Sequence, residues 1–433
     1  MTIRPLSLEK IWTPSLIRQL LTALPLFVAT SLQAIEPEDL LYYRLGNVSF
    51  RPNFGIGESY NDNVFFRGDD TFFLINPDGT TTKIERTGDF ITSLTAGTSI
   101  LLGRPTGNFI SANYGYSHRL FEEHSVQNAG NHSLSLQGEI DGARISLTPI
   151  FSFSNTKSIL TGASSSATLR DQLVERNNIR GSVSTRIVVS PKTFTSSTAS
   201  YSVNDIKGNL PLFDQDDASF QQGFGFQIRP KIDLSATGTI GQRSIDPNRL
   251  ILGPSSDQTY FGGGFRAEGE FTDRLTGEAS FGIQRSTFSS SSGSFTAPVV
   301  GISLEYLMGR DILADISYNR STFVGIQSAN SAGVSERVGL TLRKPFGTRK
   351  NWTLSATGNL NLQSWENQTG LSGNRSDDWL SGTFAIQYKI QEWLSSSFSY
   401  SLQSFSSSLA RSGTFGIVDY DVNTVSLSMR VGY

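Results

Sequence analysis

The chain of 433 residues has three histidines, and all of them, His118, His124 and His132, fall around one expected hairpin. With its midpoint near Val126, His118 and His132 would face each other across two strands, both on the apolar parity. A hydrolase of the Ser-His type needs a hydroxyl nucleophile within hydrogen-bond reach of the imidazole. On that face the neighbours are Tyr114, Tyr116 and Leu134. Two imidazoles with no carboxylate beside them are an incomplete set for a transition metal. The expectation is an interfacial polar patch, with no enzyme activity, no metal and no cofactor. Asn61-Asp62-Asn63 with Asp69 and Asp70 clusters the hard oxygens that calcium takes, but the spacing fits a solvated acidic loop better than a calcium loop. Gly262-Gly263-Gly264 is no phosphate loop, because it lies within a strand pattern and no helix follows. Glycine there permits curvature or a close neighbour. The absence of cysteine removes thiolate metal sites and disulfides together.

Charge is better organised than catalytic groups. Glu268, Glu270, Glu278, Glu305, Asp311 and Asp315 fall on the polar parity of four consecutive expected strands. Arg180, Arg186 and Arg229 precede them, while Arg337, Arg343, Lys389 and Arg430 follow and lead round to Arg51. On opposite walls of a pore these acidic and basic sets would orient polar solutes. Arg266 among the acids points to the alternative, neighbouring cross-strand pairs worth about a kcal/mol or less each. The sequence leaves both readings open.

Charges so placed require long strands with two different faces. Val48, Phe50, Phe54 and Ile56 alternate with Ser49, Arg51, Asn53 and Gly55, and Ile110, Ala112, Tyr114 and Tyr116 with Ser111, Asn113, Gly115 and Ser117. Trp352, Leu354, Ala356, Gly358 and Leu360 do the same against Thr353, Ser355, Thr357 and Asn359. About eighteen such segments of roughly ten residues can be counted, the length a tilted membrane strand needs. Tight connectors such as Asp141-Gly142, Ser190-Pro191-Lys192 and Arg229-Pro230-Lys231 alternate with long polar ones such as Asn155 to Gln172 and Gln363 to Asp377. Short turns at one end and long loops at the other describe an up-and-down sheet. An even strand count puts both termini on the short-turn side. A second face of Ser, Thr, Gly, Asn and Gln suits the wall of a water-filled lumen and does not suit packing against another layer. The fold expected is all-β, a transmembrane antiparallel up-and-down β-barrel of about 18 strands.

Composition agrees. Only 17% of residues are charged, 11% are aromatic and 41 are glycine, with a net charge of −2. Mean hydropathy is −0.19, and past the first turns of the chain none of the runs of about 20 apolar residues that a membrane helix needs is found. Near-neutral charge argues against a nucleic-acid partner. Arg4, Lys10 and Arg18, the apolar run Leu20 to Thr30 and the small-residue site Ser31-Leu32-Gln33-Ala34 have the order of a secretory signal peptide. The expected division is a signal peptide at 1–34, a short periplasmic segment at 35–46 and one barrel at 47–433. That division leaves no room for a plug or a passenger domain before the first strand. Aromatic residues fall at both ends of many strands on the apolar parity. Tyr60, Phe90, Tyr116, Phe153, Tyr201, Phe220, Phe261 and Tyr318 lie near the long loops, and Phe271, Tyr306, Trp352, Tyr388 and Tyr433 near the short turns. Two such belts fit the two headgroup levels of a bilayer.

The last strand, Val425 to Tyr433, alternates to its final aromatic residue. In this the chain resembles the outer-membrane β-barrels of Gram-negative bacteria, whose terminal aromatic is an insertion signal read by the barrel assembly machinery. Tyr60-Asn61-Asp62-Asn63-Val64-Phe65 is similar to the Tyr-x-Asp-Asn-Ile/Val-Phe/Tyr signature that opens the β-barrel porin-2 family. The resemblance implies an outer-membrane location and a porin-like channel for passive diffusion of small hydrophilic solutes. It admits a barrel of an exopolysaccharide export system, with polysaccharide as cargo, as the second reading; a structural or adhesive barrel is the third. The longest connector, Asn61 to Arg86, holds Phe65, Phe66, Phe72, Phe73, Leu74 and Ile75. Thr71 to Asn76 and Thr80 to Glu85 flank Pro77-Asp78-Gly79 as an extra hairpin, expected to extend the wall above the membrane and less readily to fold into the lumen.

Overall fold

Lipid offers no partner to a backbone N–H or C=O, so a sheet that crosses it must pair every strand on both sides. The computed structural model describes residues 41–68, 72–75, 81–84, 86–104, 107–159, 172–208, 212–247, 257–289, 294–324, 332–366, 375–408 and 419–433. The expected signal segment and most of the long loops lie outside the described residues. The wall is built from β1 (Val48–Asn61), β2 (Asp89–Gly103), β3 (Phe109–Phe121), β4 (Ala129–Asp141), β5 (Ile145–Ile159) and β6 (Leu173–Ser190). It continues through β7 (Thr193–Ile206), β8 (Phe213–Arg229), β9 (Ile232–Pro247), β10 (Gln258–Thr272), β11 (Leu275–Phe288) and β12 (Ser294–Met308). It ends with β13 (Ile312–Val324), β14 (Ala332–Phe346), β15 (Trp352–Glu366), β16 (Arg375–Gln391), β17 (Leu394–Ser407) and β18 (Tyr420–Gly432). Each strand pairs antiparallel with its neighbours in sequence, and β18 returns to β1, from Asn53 opposite Gly432 to Asn61 opposite Thr424. The fold is a closed eighteen-stranded transmembrane barrel.

The seam has its own devices. At Gly432, with φ +149°, a Cβ would lie 2.6 Å from Cβ of Asn53, so only glycine lets the last strand approach the first. Below that point β18 has ended, and the three-residue strand Tyr43–Leu45 pairs with β1 instead, Tyr43 opposite Phe50 and Leu45 opposite Val48. Part of the expected N-terminal segment thus covers an edge that would otherwise be open.

Eight connectors at one end of the barrel take two to five residues, and those at the other run up to the 27 residues of 62–88. The register sorts the faces. Phe54, Ile56, Phe224, Ile240, Phe265 and Phe281 stand on the outside, where Phe265 is 71% and Phe224 68% exposed. A band so apolar and so open requires lipid rather than water. The opposite parity carries Ser, Thr, Gly, Asn and Gln through the middle of the wall, for example Ser184, Thr198, Gln221, Thr239 and Gly262 along one register row.

Toward the long loops the inner parity changes character. The strands have 13 to 18 residues, several more than the roughly 9–11 that cross a membrane, so the surplus projects beyond the lipid. There Phe405, Tyr420 and Val422 form a buried cluster with Phe66 and Trp379 packed against it. Phe213, Ile245, Phe288, Phe295, Ala297 and Val334 form a second. Beside the first cluster, Asp377, fully buried, accepts from Arg375, from Trp365 Nε1 at 2.9 Å and from Ser407 Oγ at 2.6 Å. The polar inner face expected along the whole wall therefore ends below the loops. Lipid imposes the apolar-out alternation only at its own depth; above it, the protein packs a small core of its own.

The extra hairpin forms, with Phe72 opposite Ile84 and Ile75 opposite Thr81, but as a separate two-stranded sheet. It does not extend the wall, and the reason lies in the residues that carry it, described below.

The face assignment predicts that Phe384→Arg or Ile386→Arg, on the outside of β16, costs roughly 2 to 4 kcal/mol each near midplane depth and blocks assembly. Ser397→Arg or Ser399→Arg, on the inner parity of β17, is expected to be tolerated. Gel mobility of unheated, membrane-extracted protein reports both; equal damage from the two pairs would invert the faces.

Candidate functional site

The inner face near the short turns is a belt of charge. Arg186, on β6, lays its guanidinium 3.5 Å above the ring centroid of Phe194 on β7. That ring lies flat over Gly225 on β8, where a Cβ would come within 2.0 Å of the ring. Across it Arg186 reaches Asp233 on β9 at 2.5 Å and Glu268 on β10 at 3.4 Å. Contacts that leap over two or three intervening strands span the concave side of a closed wall, which fixes this parity as the inner one. Arg266 bridges Glu268, at 3.0 Å, and Glu278. Lys231 pairs with Glu270, and Arg343 with Asp315 at 3.2 Å. Asp311 lies in the turn after β12, outside the wall, where hydrogen bonding and charge from Lys350 hold its carboxyl below the usual carboxylate range.

The acidic residues are thus brought together on adjacent strands, but with bases among them. Glu305 faces Asp315 across the register and has no ion-pair partner among the described residues. Of the basic set, Lys389 pairs with Glu392, and Arg51 lies 4.9 Å from the ring centroid of Tyr42. Arg180, Arg337 and Arg430 stand on the inner parity without a carboxylate partner among the described residues, and Arg229 ends β8 at the turn. Two walls of opposite charge do not result. Sequence reasoning passed over Asp233, Lys231 and Phe194, although the pairing of Phe194 with Gly225 was the available signal: an aromatic opposite glycine has room to lie along the wall.

The aromatic belts stand on the outer parity: Tyr60 against Phe90, with Tyr116, Phe153 and Tyr201 toward the loops, and Phe271, Tyr306, Trp352, Tyr388 and Tyr433 toward the turns. Trp352 stacks on Tyr388 with centroids 4.3 Å apart. The histidines join the loop-side belt. Tyr114 Oη meets His132 Nδ1 at 2.9 Å, and Tyr116 Oη meets His118 Nδ1 at 3.2 Å. Tyr116, not His118, is opposite His132, because the hairpin midpoint falls at His124 rather than Val126. Asp89 causes the shift: fully buried, it accepts the N–H groups of Glu123 and His124 and pairs with His124 Nδ1 at 2.9 Å, drawing the turn toward β2. Among the described residues no three His, Asp or Glu side chains gather as metal ligands.

Asn61-Asp62-Asn63 is a clasp on the seam. Asp62 accepts from the N–H and Nδ2 of Asn423, on β18, at 2.8 and 2.9 Å and from Arg86 at 2.8 Å. Asn63, with no exposed surface, donates to Arg67 O at 2.7 Å and Asp421 O at 2.9 Å and accepts from Arg67 N–H at 2.9 Å. The chain is turned off the line of β1, and Phe66 is delivered onto Tyr420, with centroids 5.3 Å apart. That turn is why the hairpin beyond it leaves the wall. The carboxylate expected in a solvated loop is instead engaged by the last strand; Asp69 and Asp70 lie outside the described residues.

Asn63→Ala would strand buried partners on both strands and is expected to lower stability by roughly 1 to 3 kcal/mol. A lower urea midpoint in detergent, with faster tryptic cleavage after Arg67, checks it. An unchanged midpoint would remove the clasp from the account of closure.

No curated protein matches the chain. Among solved structures it is similar to the siderophore receptor PirA from Pseudomonas aeruginosa, at 9% identity and TM-score 0.42 over 88% of this chain and 80% of that one. It is also similar to the FrpB iron transporter from Neisseria meningitidis, F3-3 variant, at 8% identity and TM-score 0.44 over 88% and 81%. A loop-deletion mutant of OmpT, an outer membrane protein of Vibrio cholerae, matches at 12% identity and TM-score 0.36 over 89% and 100%. The family model described as putative beta-barrel porin 2 matches residues 173–433, the stretch from β6 to the last strand. With more than half of its length matched, and the closed wall around it, the chain belongs to the beta-barrel porin 2 family of outer-membrane barrels.

Proposed function

We propose that the barrel is a passive channel for small hydrophilic solutes across the outer membrane of a Gram-negative bacterium. The observation that carries this reading is the inner face: charged near the turns, then lined by hydroxyls, amides and glycines through membrane depth. An apolar or interlocked interior would suit a structural barrel. Eighteen strands is a size class that leaves an aqueous lumen. The reading is of a conduit and not a catalyst, since the imidazoles of His118 and His132 are spent on tyrosines of the outer belt. Export through the cleaved segment 1–34, and handling of β18 with its terminal Tyr433 by the assembly machinery, belong to the same proposal.

In planar bilayers the purified barrel is expected to give discrete, ohmic single-channel steps, and their absence from correctly folded protein would sink the channel. On intact cells an epitope inserted within 160–171 is expected to be labelled and one at Pro230 is not. The opposite pattern would reverse the orientation.

A further inference from the structure

A cavity of about 660 Å³ opens on the inner face beside the seam. Its volume is within the roughly 300–1,000 Å³ of pockets that hold small molecules. Its floor runs along one register row, Asn53, Gly97, Gly115, Ser133, Ser154 and Asn178, each opposite the next on successive strands from β1 to β6, and all of these but Gly97 line the cavity. Two glycines in that row leave the floor low. Ser99 and Asn113, hydrogen-bonded at 2.6 Å, flank it. At its two ends stand Arg430 of β18 and Arg180 of β6. Both are exposed, and neither has a hydrogen-bond or ion-pair partner among the described residues.

What the lining lacks is as informative. None of its residues is acidic. Tyr114 and Phe153 belong to the outer parity, and Tyr114 spends its hydroxyl on His132 there, so no ring is offered for stacking on an apolar sugar face. The cavity therefore presents two guanidinium groups some six strands apart, with a carpet of hydroxyl and amide groups between them. Guanidinium takes a carboxylate through two parallel N–H donors, and hydroxyls and amides serve a polyol.

We propose that this cavity binds small hydroxylated carboxylates, monomeric sugar acids of the glucuronate type, on their way through the lumen. The proposal rests on the channel reading for its purpose but not for its test. Titration calorimetry on the detergent-solubilised full barrel compares glucuronate, glucose and inorganic phosphate. Glucuronate is expected to bind at least tenfold more tightly than either of the others. Arg180→Gln with Arg430→Gln is expected to lower glucuronate affinity at least tenfold while the unheated protein keeps its folded gel mobility. Should the double variant fail to assemble, each single variant is expected to lose affinity at least threefold. Equal binding of glucuronate and glucose, phosphate binding as tight as glucuronate, or undiminished affinity in the folded variants overturns the site. Selective binding without bilayer conductance supports the site and refutes the channel; conductance without selective binding does the reverse.

Discussion

The closure of the first strand on the last is the constraint on which the rest of this structure depends. Nine residue pairs join β1 to β18, against fourteen joining β1 to β2 on its other flank. The shortfall of five pairs leaves unpaired backbone at the turn end of β1, costly beside lipid, and at the loop end β18 runs on past the last residue of β1 from Asn423 to Tyr420. The chain closes both with local means. Tyr43–Leu45 folds back over the lower edge, and Asp62 and Asn63 tie the upper corner to Asn423 and Asp421. Because Asn63 also holds Arg67 through two hydrogen bonds, the segment that secures the seam fixes the direction in which the longest loop departs.

Once the cylinder is closed, the environment at each depth decides what a side chain may be. At lipid depth the outer parity must be apolar and the inner one faces water, so the sequence alternates. Near the turns the inner circumference carries charge, held by short networks such as Arg186 over Phe194 to Asp233 and Glu268. Above the lipid the alternation loses its cause. Phe405 and Tyr420 take inner positions there and are buried by each other and by Phe66 and Trp379, not by a bilayer.

This depth dependence explains what could be read in advance. Phe54 and Ile56 against Gly55, or Phe384 and Ile386 against Ala385, obey a rule with period two, so strand number and faces were legible. Residues whose partners lie several strands away were not. Nothing local in Arg186 announces Asp233, 47 positions on, and nothing in Asn63 announces Asp421, 358 positions on. The histidine hairpin failed for a related reason: its midpoint is set by Asp89, a buried carboxylate on the preceding strand that accepts two N–H groups of the turn. Asp62 read as solvated because its donors are supplied by the far end of the chain. Short-range alternation specifies the wall; long-range side-chain bonds specify the seam, the turn-end network and the departure of the loops.

The same distinction governs the field inside the lumen. A count of formal charge gives −2 for the chain, which suggests an indifferent or faintly cation-attracting interior. The inner acids of β9 to β13, however, mostly hold counter-charges: Asp233 and Glu268 share Arg186, Glu268 and Glu278 share Arg266, and Glu270 has Lys231. Paired groups cancel at distances beyond the pair, and a narrow aqueous space with low-dielectric walls gives weight to whatever is left uncancelled. What is left on the inner parity is chiefly Arg180, Arg337 and Arg430, set against Glu139, Asp141 and Glu305. The potential along the inner wall is therefore fixed by which charges lack neighbours rather than by how many the chain carries, and at the cavity beside the seam those charges are Arg180 and Arg430.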